Sequence, residues 1–426
     1  MTTSPPPIVV WLRDDLRLLD NPALADAAES DRPIVVLYVL DEESEGVRPL
    51  GAAHHWWLHH SLASLAKDLA GIGAKLILRR GAAGKIVPDV IAETKATGLW
   101  FNRRYDQGGD ALDDGIAESL PEDVEVQRFR ANLLHDPKAV QTKTGGFYRV
   151  YTPFWRNLSQ SGEPRDPIDA PTKLLAPKHQ PKSDDLDAWK LLPVKPDWSG
   201  GMAADWVPGE AAALERFDEF CEDLLDDYHN GRERPADDAT SRMSPRLRFG
   251  EISPFTLWHR ATEAARRRKG VPDKAIETFQ KELVWREFNY HLLYHFGALA
   301  TRNFNPRFDK FTWRKSASDL KAWQKGLTGY PIVDAAMRQL WQTGWMHNRM
   351  RMIVGSFLTK DLLIDWQEGE RWFWDTLVDG DIASNTSQWQ WIGGSGADAQ
   401  PFFRIFNPVA QGQKFDSAGV YIRRYI

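Results

Sequence analysis

Apolar residues fall in short unbroken runs along the first third of the chain, at 8–12, 34–40, 74–78 and 98–102, with 124–129 as a fifth. Runs this short with no polar alternation read as strands of a parallel sheet covered on both faces. Between them apolar positions recur at helical spacing: at 22–28 behind the capping pair Asp20-Asn21, at 54–70 and at 86–95. Strand and helix in alternation predict a Rossmann-like α/β unit over 1–131. No Gly-x-Gly-x-x-Gly follows the first run, so nothing there argues for NAD. From about 159 to 207 Pro, Lys and Asp crowd in without a period, and 132–207 is assigned as a connector wrapped over the surface. Beyond Pro208 the period turns helical, first at Leu214, Phe217, Phe220, Leu224 and Tyr228, and stays so almost to the end. The second unit, 208–426, is predicted to be all-α.

A length of 426 residues agrees with two domains rather than one core. The net charge of −5 does not announce a nucleic-acid protein, but charge is unevenly spread. Residues 240–320 hold 16 Lys and Arg against 8 Asp and Glu, a basic surface suited to phosphates. The tetrad Arg266-Arg267-Arg268-Lys269 within it reads as a solvated helix face. A single cysteine, Cys221, excludes an internal disulfide and any Cys-x-x-Cys metal site, and suits a reducing compartment. No segment is apolar for long enough to span a bilayer, and the start lacks a signal peptide's pattern. The expectation is a cytoplasmic monomer with no membrane contact. Nineteen tryptophans, eleven of them after Gly250, are what a base-stacking or electron-conducting protein would need, although a large core also absorbs indoles.

Three stretches carry candidate chemistry. The thirteen residues 379–391 place Asp379, Asp381, Asn385, Trp389 and Trp391 around Gly380. Acceptors, an amide and flat rings suit a planar ligand with polar edges; the plain alternative is a capped loop with two core tryptophans. The segment Thr240-Ser241-Arg242-Met243-Ser244 before Pro245 offers hydroxyls and free N–H groups as a phosphate cradle, or else a solvent-facing cap. On a helix over 276–296, Glu282, Trp285, Arg286 and Asn289 form one stripe, with Phe279, Leu283 and Phe288 to bury the other side. The run His54-His55-Trp56-Trp57-Leu58-His59-His60 sets His55 and His59 at i, i+4, but no third ligand is evident and no metal is expected.

The runs Thr328-Gly329-Tyr330-Pro331-Ile332-Val333-Asp334 and Thr343-Gly344-Trp345-Met346-His347-Asn348-Arg349, together with 379–391, resemble the flavin-binding core of the photolyase/cryptochrome family. The likeness runs from Thr240 to Ile426 and returns at Trp11-Leu12-Arg13-Asp14-Asp15-Leu16-Arg17. It implies FAD in the helical unit, with Tyr228 and residues 240–244 near the pyrophosphate. Trp345, Asn348 and Arg351 would lie against the flavin, with Arg351 paired to Asp379. Asp381 would accept from the ring edge, and Asn385 would face N5. An amide at Asn385 resembles photolyases rather than plant cryptochromes, which carry an acid there. The resemblance further implies that Glu282 hydrogen-bonds a damaged pyrimidine, that Trp285 stacks on the flipped lesion, and that Arg286, Met352 and Trp391 help bind it. It makes Trp389, Trp366 and Trp313 an electron relay, with a branch through Trp372 and Trp374 open.

Asn348 after His347 leaves out the second histidine of (6-4) enzymes, so the implied substrate is the cyclobutane pyrimidine dimer in UV-damaged DNA. A light-sensing cryptochrome that signals to a protein is the rival. The pair Trp56-Trp57 resembles bacterial class III enzymes and implies an antenna, 5,10-methenyltetrahydrofolate, between these indoles with Asp106 at its edge; 8-hydroxy-5-deazaflavin, or no antenna, stays open. The C-terminus looks short, since relatives continue its last helix.

Overall fold

The computed structural model describes residues 5–399 and 404–426; the first four residues, used in the signal-peptide reading, lie outside them. β1 (Ile8–Leu12), β2 (Ile34–Leu40), β3 (Leu76–Arg80), β4 (Gly98–Asn102) and β5 (Glu125–Phe129) form one sheet in the order β3-β2-β1-β4-β5. Every pairing is parallel, with Val9 between Val35 and Leu99. Because side chains alternate along a strand, Ile8, Val10 and Leu12 enter one core while Val9 and Trp11 enter another. The first core is closed by α1 (Pro22–Glu29) and α2 (Ala52–Gly71), the second by α3 (Ala83–Thr94) and α4 (Gln107–Ser119). This is why the strands read as unbroken apolar runs. β3 starts two residues later than expected, since the Ala74 N–H is used to close the turn after α2, donating to Leu69 O at 2.9 Å. α4 was not legible: its apolar face is thin, at Leu112 and Ile116, and it contains Gly108, Gly109 and Gly115.

The stretch 132–207 is not only a surface connector, which corrects the sequence reading. α5 (Tyr151–Ser159) buries Tyr151, Phe154 and Leu158 against Phe288 and Leu292 of the helical half. Leu174, Trp189 and Leu191 are pinned into the α/β core, as are Met202 of α6 (Gly200–Asp205) and Trp206. Single buried anchors without a period leave no signal for a sequence reading.

The helical half comprises α7 (Glu210–Glu219), α8 (Tyr228–Gly231), α9 (Ser244–Arg248), α10 (Pro254–Arg267), α11 (Asp273–His295), α12 (Ala317–Gln324), α13 (Pro331–Thr343), α14 (Asn348–Ser356), α15 (Trp366–Thr376), α16 (Ile382–Gly393), α17 (Pro408–Phe415) and α18 (Val420–Tyr425). The helical period read from Leu214 to Tyr228 is broken by π and 3-10 turns after Glu219, where Arg268 takes the Cys221 carbonyl. The basic tetrad stays at the surface, with Arg266 on Glu163, Arg267 on Glu222 and Arg268 on Asp226.

The two halves are joined along the loop after β1. Leu16 N–H donates to Phe249 O at 3.1 Å, Arg17 to Gly250 O at 2.9 Å, and Arg248 pairs with Asp14 at 2.7 Å. Gly250 has φ +66°, and a Cβ there would stand 2.0 Å from Asp14 O, so only glycine fits the junction. No helix among the described residues is long and apolar enough to cross a membrane.

Candidate functional site

The loop between α15 and α16 gathers the acidic residues. Arg351 of α14 donates to Asp379 Oδ2 at 2.7 Å and to Met346 O at 2.8 Å, which fixes the guanidinium on two sides. Asp379 is buried, and its other oxygen, Oδ1, has no hydrogen-bond partner among the described residues. An acceptor stranded this way costs about 1–3 kcal/mol, more when charged, so it suits a donor from outside the chain. Asp381 is different. Its Oδ1 caps α16 by accepting from Ser384 N at 2.7 Å, and its Oδ2 takes the Tyr290 hydroxyl. Each Asp381 oxygen accepts one hydrogen bond and retains a second lone pair, so Asp381 keeps acceptor capacity for a ring edge, alongside Asp379, whose Oδ1 has no partner among the described residues. Gly380 lets the loop approach α2 closely, since a Cβ there would lie 2.6 Å from Nε2 of the buried His54.

Asn385, on the first turns of α16, is buried and donates Nδ2 to Glu370 O at 3.1 Å and Glu370 Oε1 at 2.8 Å. Trp345 follows Gly344, the left-handed cap of α13, so Trp345, Asn348 and Arg351 do not share a helical stripe. His347 caps α14 through Arg349 N, and Asn348 opens that helix exposed. Arg242, with φ +57°, lies 4.1 Å from the Trp206 ring and 5.4 Å from that of Trp345, with its charge spent on Asp205. The half-buried hydroxyl residues Thr240 and Ser241 are what remain polar there, with Met243 buried and Ser244 exposed. Tyr228 is packed against Phe220 and Phe279, and burial raises its hydroxyl pKa.

On α11 the expected stripe separates. Glu282 pairs with Arg232 at 2.6 Å. The half-buried Trp285 has one face stacked on Tyr151, centroids 3.6 Å apart and planes 5° apart. Asn289 is buried and accepts from Gln388 at 3.2 Å. Arg286 turns away, donating to Asn132 O at 2.6 Å and lying 4.8 Å from the Tyr290 ring. It lines the cavity between the two halves, so its placement beside Trp285 as a substrate ligand is corrected. Met352, half-buried, sits 3.5 Å from Arg349 through its sulfur, and Trp391 packs partly buried on the same hydrophobic cluster. His347 is held neutral: burial first, then the charges of Arg349, Arg351 and Arg232, push its pKa down to about 4.

Trp389, Trp366 and Trp313 belong to one cluster and run from buried to half-buried. Trp389 meets Trp323 and Phe373 edge-on at 6.0 and 4.9 Å, while Trp366 donates to Asn303 at 2.9 Å. Trp372 stacks on the exposed Trp341, with centroids 6.1 Å apart.

The interdomain cavity is open to solvent. Asp106 lines it with Arg48, Arg104, Arg248 and Tyr290. Trp56 and Trp57 do not. They are 2% and 0% exposed, and Trp57 is closed in by Trp206 and Phe249 with its Nε1 donating to Glu251 at 2.9 Å. The expectation that this pair sandwiches a chromophore is corrected: α2 is covered on both sides, and its indoles are core. Sequence reasoning missed Arg232, Tyr151, Glu370 and Arg48, whose partners lie 50, 134, 15 and 322 positions away along the chain.

Residues 279–426 match the FAD binding domain of DNA photolyase, and residues 8–173 match DNA photolyase. The chain is 53% identical over 427 residues to a deoxyribodipyrimidine photo-lyase of Agrobacterium fabrum, covering 100% of this chain and 88% of that protein. It is similar, with TM-score 0.96 and 52% identity, to the crystal structure of a bacterial class III photolyase from Agrobacterium tumefaciens, covering 100% of this chain and 87% of that one. A cryptochrome from Synechocystis is more distant, with TM-score 0.89 and 28% identity over 100% of this chain and 89% of its own.

Proposed function

This chain belongs to the photolyase/cryptochrome family, and from that premise we propose how its own residues carry out light-driven repair of cyclobutane pyrimidine dimers in DNA. The observation that carries the activity is likeness along the full chain to a deoxyribodipyrimidine photo-lyase at 53% identity. FAD is the cofactor of the matched helical domain, and the residues present fit it. The stranded Asp379 Oδ1 is an acceptor for a ring N–H, Thr240 and Ser241 offer hydroxyls to phosphates, and Trp345 offers a flat wall. When bound and reduced, this flavin supplies one electron to the dimer under light.

The chain's task is then to hold and to orient. Arg351 holds Asp379 in place, and Asn385 faces the N5 edge. Trp285, backed by Tyr151, keeps its other face for the extruded lesion, and Glu282, steadied by Arg232, accepts from a base edge. Base stacking on an aromatic contributes about 1–3 kcal/mol. That is comparable to the few kcal/mol for extruding a nucleotide, a cost smaller for a damaged base; photolyases are themselves among the base-flipping enzymes this describes. Met352 and Trp391 complete the wall. A neutral His347 supplies no acid, in keeping with a substrate whose ring opens without one. Trp389, Trp366 and Trp313 provide oxidisable indoles between this site and the surface.

The antenna chromophore belongs in the interdomain cavity with Asp106. Its arginines suit the glutamyl carboxylates of 5,10-methenyltetrahydrofolate. The test is illumination of dimer-containing DNA with the purified, reduced flavoprotein. Repair is expected with the native chain and is expected to fall steeply in Glu282→Ala; equal repair by both would refute the assignment of Glu282.

A further inference from the structure

The polar chain that ends at Asn385 begins in the other half of the molecule. Arg48 precedes α2, lines the interdomain cavity and lies 4.0 Å from the Trp374 ring. Its Nη1 and Nη2 donate to Glu370 Oε1 and Oε2 at 2.6 and 2.9 Å, a bidentate fork across 322 positions of sequence. Glu370, on α15, is 4% exposed, and the same Oε1 accepts from Asn385 Nδ2 at 2.8 Å. The Glu370 backbone oxygen accepts from that Nδ2 as well, at 3.1 Å.

The two ends of an asparagine amide look alike and are told apart by their partners. Here both partners settle the matter. A backbone carbonyl can only accept, and a carboxylate gripped by a guanidinium can only accept, so only the NH2 end can face them. The carbonyl Oδ1 of Asn385 is thereby turned to the opposite side. We infer that Arg48, a residue of the α/β half, is a positioning residue for the flavin: through Glu370 it locks the Asn385 amide with Oδ1 toward N5. This rests on the reading that Asn385 faces N5.

An acceptor aimed at N5 favours the forms of the ring that carry a hydrogen there. It disfavours the oxidised form, whose N5 presents a lone pair to Oδ1. Removing the lock therefore shifts the flavin toward its oxidised form. Glu370→Gln is the sharper change, because Arg48 claims the new amide's oxygen and leaves its NH2 facing Asn385. That NH2 repels Asn385 Nδ2 and favours the reversed amide. Arg48→Met removes the fork and leaves Glu370 free to turn.

The experiment is a spectroscopic redox titration of the FAD-loaded full chain, with FAD affinity measured beside it. Arg48→Met and Glu370→Gln are each expected to lower the reduced-to-oxidised ratio at fixed potential about tenfold, roughly 30 mV for a two-electron couple. The double variant is expected to do no more than either alone, and Arg48→Lys to restore part of the ratio. Arg79→Ala, which removes a partly exposed ion pair with Glu93 far from this chain of contacts, is the control. If either single variant loses flavin altogether, Arg48→Lys carries the test, with an intermediate potential expected. An unchanged potential in flavin-loaded Arg48→Met and Glu370→Gln, or in Arg48→Lys where that variant carries the test, overturns the inference. Asn385→Ala separates the two failures. If it shifts the potential while the Arg48 variants do not, the lock is wrong; if it too leaves the potential unchanged, the placement of Asn385 at N5 is wrong.

Discussion

Two tryptophan-rich regions of this molecule have opposite fates. On α2, Trp56 and Trp57 are both buried in the core under the sheet, Trp57 against Trp206 and Phe249 and Trp56 against Trp57 and His60. On α11, Trp285 is stacked on Tyr151, meets Phe288 edge-on at 5.8 Å, and stays half-buried. The residue type is the same and both lie on helices. What differs is whether a second layer covers the indole. A tryptophan becomes a stacking platform only where the fold packs one face and leaves the other, which is a property of layers and not of the local sequence.

The largest effect that tests this contrast is on stability. Trp57→Ala empties a fully buried site and is expected to destabilise the fold by ~3–5 kcal/mol. It should lower the thermal midpoint while leaving affinity for dimer-containing DNA unchanged in whatever stays folded. Arg351→Ala strips a buried carboxylate of its partner; breaking such a pair costs ~3–5 kcal/mol when both groups are buried. Arg351 is 26% exposed, so about 2–3 kcal/mol is expected here, read as a loss of bound FAD in equilibrium dialysis.

A pH effect comes next. Glu287 is buried under the 134–135 backbone, and burial raises its pKa to about 7 from an ordinary 4.5. The folded state therefore holds a proton that the unfolded state has lost, so stability is full below about 4.5 and declines as pH rises through about 7. The full decline is on the order of 3 kcal/mol. Glu287→Gln should flatten this slope in denaturant titrations, with its advantage over the native chain growing from pH 5 to pH 8. The smallest effect is Trp285→Ala, expected to weaken binding of dimer-containing DNA by ~1–3 kcal/mol with little change in thermal midpoint. If Trp57→Ala and Trp285→Ala instead altered stability and DNA affinity alike, the contrast between the regions would collapse.

The sheet was legible because each strand is apolar on both faces, and β1, β2 and β4 lie where their runs lie. The Arg351–Asp379 pair follows from the resemblance, and the structure brings the two into contact. What escaped the sequence did so for physical reasons. Arg48 and Glu370 meet across the domain junction, where no period or spacing points. Arg286 sits one turn from Glu282, yet Asn132 O and the Tyr290 ring draw it into the cavity. Trp56 and Trp57 look like a ligand clamp until the layers around α2 are known. Asp379 and Asp381, two residues apart, look alike in sequence, yet one pairs with Arg351 and the other caps α16 and takes the Tyr290 hydroxyl.

The most direct measurement is a structure of the chain with FAD and dimer-containing DNA. The account predicts the flavin ring within hydrogen-bond distance of Asp379 Oδ1 and the lesion stacked on the face of Trp285 opposite Tyr151. A flavin seated only in the interdomain cavity, or a lesion that leaves Trp285 untouched, would contradict it.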